Sequence, residues 1–259
     1  MDYGYRMLRH IVAQVFGNMG QAARLTLVPT FLPAAILLAL FMSWGVSYTT
    51  FGNTTVDPAQ LPDVNPGVIF LTVLAAVVVS VITYCWAAVG WHRFVLLEEY
   101  GRGVVPNWHG PYIMSYLGRA FLIGLFAVAV SIAAMIVLGI FLSVIPSQAF
   151  AFVLLTGFTL GLTWLITRVG LILPTAALGQ KMTFRESWEA TKPVASHLLV
   201  PLFFIALAMT LANQLVAVIF GESALGIIPM AFLYWIQVLL NLSLLTTLFG
   251  TQIEGRPLN

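Results

Sequence analysis

Six long apolar runs constrain the fold of this chain more than any other feature. Each is longer than the roughly 20 residues that a helix needs to cross the hydrocarbon core of a bilayer. Because lipid offers the backbone no hydrogen-bond partner, an apolar run of this length crosses the membrane as a helix. The sequence therefore predicts an all-α polytopic membrane protein with six transmembrane helices. The runs cover approximately residues 25–48, 67–91, 120–145, 149–174, 198–219 and 226–250.

Composition supports a lipid environment and excludes several other classes of protein. Of the 259 residues, 60% are hydrophobic and only 8% are charged, whereas a soluble domain carries about 25% charged residues. A net charge of +2 is too small to indicate nucleic-acid binding. The one cysteine, Cys85, excludes an internal disulfide and a cysteine-rich zinc site.

The residues before the first apolar run predict an amphipathic helix. Apolar side chains recur there at steps of three and four, with polar side chains between them. This pattern, over residues 4–23, favours a helix in the membrane interface, with a regulatory or partner-binding helix as the alternative. We therefore divide the chain into an interfacial helix (1–24), a six-helix transmembrane domain (25–250) and a cytoplasmic tail (251–259). The apolar positions are Leu8, Ile11, Val12, Val15, Phe16 and Met19.

The distribution of basic residues predicts the orientation of the helices. All eleven lie before the first helix, between the second and third, from the end of the fourth to the start of the fifth, or after the sixth. The other three connections carry none. The positive-inside rule therefore places both termini in the cytoplasm and groups the helices into three hairpins. The basic residues are Arg6, Arg9, Arg24, Arg93, Arg102, Arg119, Arg168, Lys181, Arg185, Lys192 and Arg256.

The stretch from Trp91 to Gly110 concentrates polar and aromatic side chains between two predicted helices. Its glutamates are near Arg93 and Arg102 in the sequence, so we interpret them as an interfacial ion-pair cluster. Its tryptophans and tyrosines fit an aromatic belt at the level of the lipid headgroups. A metal site is the alternative, but no known metal-binding spacing is present, and we predict no metal ion or cofactor. The candidate ligands are His92, Glu98, Glu99 and His109.

A second polar segment, residues 179–197, contains a helix signal. Thr183 and Glu186 form the capping-box pattern T-x-x-E, which predicts a short helix from Thr183 to about Thr191, before Pro193. The segments after the second, fourth and sixth helices also resemble one another, since each has an apolar residue and a glycine followed by basic residues. We predict that they form three similar collars. The repeated pairs are Tyr100–Gly101, Leu178–Gly179 and Phe249–Gly250.

The centres of the predicted helices carry no ionisable residue, which gives little support to a proton- or ion-coupled transporter. Arg168 comes nearest, and we expect its long side chain to snorkel towards the cytoplasm. Uncharged polar residues do occur in the fifth and sixth helices. Hydrogen bonds between helices are the favoured interpretation, and a neutral cavity is the alternative. These residues are Asn213, Gln214, Gln237 and Asn241.

The segment T-F-R-E-S-W-E-A-T, Thr183–Thr191, carries a family resemblance together with the six predicted helices and the amphipathic N-terminus. The chain resembles the bacterial inner-membrane proteins of the YciC-like type and is similar to the membrane domain of some glycerophosphodiester phosphodiesterases. The resemblance implies a bacterial inner membrane and an auxiliary or envelope-related role. The soluble phosphodiesterase domain is absent, so no catalytic residue is carried over.

The chain has no G-x-S-x-G, Walker A, dinucleotide-binding or C-x-x-C pattern. We therefore predict a non-enzymatic inner-membrane scaffold, assembly factor or accessory subunit that binds a membrane-protein partner or lipid. The alternatives are a transporter or flippase for a neutral or amphipathic solute, and an enzyme acting on lipid headgroups. The expected partners are membrane lipids and a membrane-protein complex or homo-oligomer, without nucleic acid. The candidate lipid or partner contacts are Arg93, Arg102, Trp108, Arg168, Arg185 and Trp188.

Overall fold

The computed structural model describes residues 2–44, 65–101, 103, 105–145, 147–221 and 223–258, in which all regular structure is helical. The α-helices in these ranges are α1 (Tyr3–Phe16), α2 (Met19–Ser43), α3 (Pro66–Leu97), α4 (Gly110–Val144), α5 (Gln148–Val169), α6 (Ile172–Ala177), α7 (Phe184–Ala190), α8 (Leu199–Phe220) and α9 (Ile227–Gln252). Six helical segments are long and apolar enough to cross a membrane, and α5 and α6 together form one of them. This confirms the all-α class and the predicted number of spans.

Helices α3 and α4 are longer than the apolar runs that predicted them. α3 continues to Leu97 and α4 begins at Gly110, so only a short connection remains of the polar stretch between them. Both helices extend beyond the apolar runs because helical hydrogen bonds join backbone groups of the same segment. These bonds form whether the side chains contact lipid or the polar interface. α3 ends where Glu98 takes a left-handed conformation with a φ of 55°. α4 begins beside Pro111, which is tolerated in a first helical turn.

Helix α1 buries one side against the rest of the bundle. Met7, Ile11 and Val15, spaced four residues apart, are fully buried, and α1 packs on α8 and α9. These residues share one helical face because a turn takes 3.6 residues. Gly4 lies at a close approach between helices, since a Cβ there would be 2.8 Å from the carbonyl oxygen of His197.

Helix α2 begins earlier than the first apolar run. It starts at Met19, shortly after α1 ends, so residues 19–24 belong to a membrane-crossing helix rather than to the predicted interfacial segment. Pro29 and Pro33 therefore lie inside α2. Because proline has no N–H group, neither residue donates to the carbonyl four residues earlier.

The core is concentrated around α9, which packs on α1, α3, α6 and α8. α9 contributes a nearly continuous buried stretch from Trp235 to Gly250. Two of its polar side chains bond neighbouring helices: Trp91 Nε1 donates to Ser243 Oγ at 3.0 Å, and Trp235 Nε1 donates to Thr26 Oγ1 at 2.7 Å. Trp91 is fully buried, so it does not belong to the aromatic belt that its sequence position predicts.

Replacing Gly4 with alanine is expected to loosen α1. The added methyl group would overlap the carbonyl oxygen of His197 and the side chain of Val200, both at 2.8 Å. Gly4→Ala should therefore lower the free energy of unfolding by about 1–3 kcal/mol, measured by chemical denaturation in a mild detergent. Gly20→Ala is the matched control, because no described atom lies within 4 Å of its added Cβ. Equal stability of Gly4→Ala and the wild type would contradict this packing.

Candidate functional site

Arginines tie the basic segments of the chain together at one end of the bundle. Arg256, after α9, donates to the carbonyl of Leu96 near the end of α3 at 2.7 Å. Arg93, in α3, donates to the carbonyl of Ala177 at the end of α6 at 3.1 Å. Carbonyls at a helix C-terminus lack helical partners and carry partial negative charge, so they bind cations well. We call this region, formed by the segments after α3, α6 and α9, the basic end.

Arg119 makes contacts of the same kind from α4. Its two terminal nitrogens donate to the carbonyls of Ile172 and Gln180, at 2.8 and 2.7 Å. Ile172 begins α6 and Gln180 follows its end, so one planar guanidinium holds both sides of this short helix against α4. The arginines that predict the orientation by their charge thus also connect helices that are distant in the chain.

The three collars do not share the glycine register that their sequences indicate. Gly250 lies inside α9 rather than at its end. The left-handed residues that follow the helices are Glu98 after α3, Gly179 after α6 and Gly255 after α9, with φ values of 55°, 75° and 68°. Glycine adopts this conformation at a helix end without steric cost. Glu98 has a Cβ, so its conformation is strained.

The glutamate–arginine cluster forms around Glu99. Its carboxylate lies 2.8 Å from Arg93 Nε and 2.7 Å from His109 Nε2. The guanidinium carbon of Arg93 lies 4.6 Å from the ring centre of Tyr112. Partial burial alone raises the pKa of Glu99, but the hydrogen bonds and charges of Arg93 and His109 outweigh burial and hold this pKa below its ordinary value. Glu98 is exposed and makes no ion pair within the described residues.

His92 is not part of this cluster. It is fully buried, with Nδ1 2.8 Å from Thr246 Oγ1 and Nε2 3.5 Å from the hydroxyl of Tyr116. The Thr246 hydroxyl donates to the carbonyl of Leu242, so it accepts from Nδ1–H, and Nε2 is the acceptor for Tyr116. Both ring nitrogens are therefore used inside the core. In the described ranges, no group of three or more His, Cys, Asp or Glu side chains is placed to hold a metal ion.

Arg168 lies in a cage of two tryptophans. Its guanidinium carbon is 3.5 Å from the ring centre of Trp188 and 5.1 Å from that of Trp164, and only 5% of the residue is exposed. It donates to Thr191 Oγ1 at 3.2 Å and to the carbonyl of Trp188 at 2.8 Å. Among the described residues no carboxylate pairs with it. Aromatic faces and neutral acceptors stabilise the charge instead, and the side chain stays inside the protein rather than snorkelling outward.

The predicted capping box positions α7 for this cage. Thr183 Oγ1 accepts from the N–H of Glu186 at 3.2 Å, and the Glu186 carboxylate accepts from the N–H of Thr183 at 2.7 Å. This reciprocal pattern starts the helix, and the hydrogen bonds from Thr183 hold the pKa of Glu186 below its ordinary value. Ser187 then donates to the carbonyl of Arg168 at 2.7 Å and accepts from the N–H of Leu171 at 3.2 Å. These bonds fasten α7 to the junction of α5 and α6.

Two of the predicted lipid or partner contacts lie at the surface of the basic end. Arg185 is exposed on α7. Trp108 is exposed beside Trp86, with their ring centres 5.2 Å apart. Arg102 lies outside the described residues. Arg93, Arg168 and Trp188 bind groups of the protein itself, so Arg185 and Trp108 are the exposed members of this set within the described residues.

Three of the four polar residues in α8 and α9 face outward. Asn213 donates to the carbonyl of Met209 in its own helix at 2.8 Å. Gln214, Gln237 and Asn241 are exposed, and they make no hydrogen bond within the described part of the chain. The described structure therefore uses these three amides neither to line an internal cavity nor to join two of its helices.

Two lateral cavities lie between membrane-crossing helices at positions that the sequence patterns did not indicate. The larger, of ≈ 590 Å³, lies between α2, α3 and α9. The other, of ≈ 440 Å³, lies between α5 and α8. Pro29 and Pro33 line the larger cavity. Prolines and tyrosines inside the apolar runs are the sequence signal for the larger cavity. A proline leaves the carbonyl four residues earlier without its helical donor, and a tyrosine carries a hydroxyl into a lipid-facing helix.

No family model, no curated protein and no solved structure matches this chain. The features that bear on function are therefore those of the structure itself: the basic end, the outward amides and the two cavities.

Substituting Arg168 by lysine is expected to weaken the tryptophan cage. Lysine keeps the charge but lacks the planar group that lies on Trp188 and donates to two acceptors. The loss of stacking and of one charged hydrogen bond should reduce the free energy of unfolding by roughly 1–3 kcal/mol. Tryptophan fluorescence during denaturation in detergent measures this change. Arg185→Lys, exposed on α7, is the matched control and should keep the wild-type midpoint. A wild-type midpoint in Arg168→Lys would show that the cage does not stabilise the fold.

Proposed function

We propose that this chain is a non-enzymatic integral protein of the bacterial inner membrane that acts as a scaffold, assembly factor or accessory subunit by binding a membrane-protein partner. The observation that supports this proposal is the outward position of Gln214, Gln237 and Asn241 in helices that are able to cross a membrane. Membrane lipids provide a second set of contacts at the basic end.

Amide side chains are costly to leave in hydrocarbon without hydrogen-bond partners. Gln237 and Asn241 are four residues apart and share a face of α9, and Gln214 belongs to α8, which packs on α9. Each amide both donates and accepts. A partner helix that carries amide or hydroxyl groups satisfies them, whether it comes from another protein or from a second copy. Such bonds contribute about 0.6–2 kcal/mol each and select a partner where apolar packing alone does not.

Exposed cations and aromatic rings support contact of the basic end with anionic headgroups. Arg185 and Trp108 are exposed there. The outward side of α1 carries the exposed residues Tyr5, Arg9 and Phe16, a mixture typical of a helix in the membrane interface. α1 then joins the bundle by its buried side and the interface by its outer side.

We propose that the basic end faces the cytoplasm, with both termini on that side and the spans arranged as three hairpins. The concentration of basic residues supports this orientation. The packing of α2 on α3, α4 on α5 and α8 on α9 supports the pairing of the spans. The resemblance to the YciC-like proteins stays a prediction.

Labelling of single cysteines tests the orientation. Cys85 is buried, and Cys85→Ala provides a cysteine-free background. Ser147→Cys, between α4 and α5, should react with a membrane-impermeant maleimide in spheroplasts, whereas Ser196→Cys, between α7 and α8, should react only after lysis. Both serines are exposed, so the side of the membrane is the variable that the experiment compares. Labelling of Ser196→Cys in intact spheroplasts would reverse the proposed topology.

Photocrosslinking from α9 tests the proposed partner. A benzophenone amino acid at position 237 should form a protein adduct in native membranes, because we place a partner helix against this face. Position 128 in α4, where Val128 is 56% exposed, is the matched control and should form lipid adducts only. If positions 237 and 214, each tested with the other amides kept, both form only lipid adducts, the proposed function is wrong.

Altering the amides separates partner binding from folding. With the crosslinker at position 214, Gln237→Leu together with Asn241→Leu should remove the protein adduct. The stability of the purified chain should not fall, because neither amide is bonded within the described chain. Asn213→Leu is the matched control and should keep the adduct, since Asn213 bonds only a carbonyl of its own helix.

A transporter or flippase for a neutral or amphipathic solute is the second candidate function. The cavity between α2, α3 and α9 favours it. Because that cavity is lined by none of the outward amides, the two functions depend on different residues. Dithionite quenching of a fluorescent lipid in proteoliposomes measures flipping. A rate equal to that of protein-free vesicles would remove this candidate.

A further inference from the structure

The cavity between α2, α3 and α9 holds polar groups that the rest of the described chain does not satisfy. Tyr84 and Tyr234 line the cavity, and their hydroxyls make no hydrogen bond within the described residues. Both side chains are partly exposed to the surroundings of the helices, and hydrocarbon offers a hydroxyl no hydrogen-bond partner. Two open hydroxyls at one cavity therefore indicate that a ligand completes them.

Helix α2 adds a hydrogen-bond acceptor to the same wall. Pro29 and Pro33 line the cavity, and Pro33 has no N–H group to donate to the carbonyl of Pro29. Carbonyls accept and do not donate, whereas hydroxyls do both. The wall thus matches a ligand that has a donor as well as an acceptor, which is the chemistry of an alcohol.

The lining is uncharged. Its twelve residues, all within the described ranges, are aliphatic, aromatic, proline or hydroxyl-bearing. A phosphate or carboxylate bound there would be removed from water without a counter-charge, which is strongly unfavourable. The cavity of ≈ 590 Å³ lies within the range of about 300–1,000 Å³ that is typical of small-molecule sites.

The cavity is reached from the bilayer. All three helices that form it are able to cross a membrane, and its lining residues Ala34, Met230 and Tyr234 are exposed. In α2 and α3 the lining residues lie inside the helices rather than at their ends, so this side of the cavity faces the bilayer. A lipid-soluble ligand enters by this route without passing through water.

We infer that this cavity binds an uncharged lipid that bears a free hydroxyl group, of the acylglycerol class. The hydroxyl lies between Tyr84 and Tyr234, and an acyl chain follows the apolar wall towards the bilayer. The site shares no residue with the outward amides, so it goes beyond the proposed partner binding and does not depend on it.

Photoaffinity labelling in nanodiscs tests the site. The full chain is irradiated with a diacylglycerol that carries a diazirine in one acyl chain, and the labelled peptides are identified by mass spectrometry. Labels should concentrate in the segments of α2, α3 and α9 that line the cavity. A phosphatidic acid with the same acyl chains should label these peptides severalfold less, because its phosphate has no counter-charge there.

Matched variants separate the site from general lipid contact. Ala34→Trp fills this cavity, and Ala206→Trp fills the cavity between α5 and α8 as its control. Ala34→Trp should abolish the labelling, and Ala206→Trp should leave it unchanged. Tyr84→Phe with Tyr234→Phe keeps both rings but removes both hydroxyls, which should reduce labelling about fivefold.

Three results would overturn the inference. They are labelling spread evenly over all lipid-facing peptides, labelling that a folded Ala34→Trp protein retains, and labelling that the paired tyrosine variant leaves unchanged. Equal labelling by diacylglycerol and phosphatidic acid would overturn the assignment of an uncharged ligand. The paired tyrosine variant preserves side-chain volume, so it tests the site even if Ala34→Trp does not fold.

Discussion

Free carbonyl groups at helix ends need donors, and in this protein arginine side chains supply them. Arg256 links the segment after α9 to α3, Arg93 links α3 to the end of α6, and Arg119 holds α6 against α4. Hydrocarbon supplies no donors, so the chain itself provides them for these carbonyls. The core packs beside them. Charge, helix termination and tertiary packing thus depend on the same few side chains.

Several arginine side chains at the basic end are bonded within the chain, whereas some uncharged polar groups in the spans are not. Arg168 is stabilised by aromatic faces and neutral acceptors, and His92 uses both ring nitrogens in the core. In contrast, Gln237 and Asn241 face outward, and the hydroxyls of Tyr84 and Tyr234 make no hydrogen bond within the described residues. The unpaired groups, rather than the charged stretch that is most conspicuous in the sequence, are the ones that require something from outside the chain.

Local signals were predictable because short-range physics decides them. The spans follow from the length of the apolar runs, and the capping box of Thr183 and Glu186 forms as its spacing predicts. Burial was less predictable, since it depends on which helix packs alongside. Trp91 lies at a predicted interface position but bonds Ser243 of α9, which is far away in the chain. Nothing in the sequence near Trp91 indicates that neighbour.

The sequence by itself determined that this chain is helical, how many times it is able to cross a membrane and which segments carry positive charge, because apolar length and charge are properties of the chain. Only the tertiary structure decided what the polar side chains do. It placed Arg168 between two aromatic rings, turned Gln237 and Asn241 outward, and brought Tyr84 and Tyr234 to one cavity. The physical reason is that a hydrogen bond needs two groups within about 3 Å, and chain folding alone sets that distance between residues from different helices.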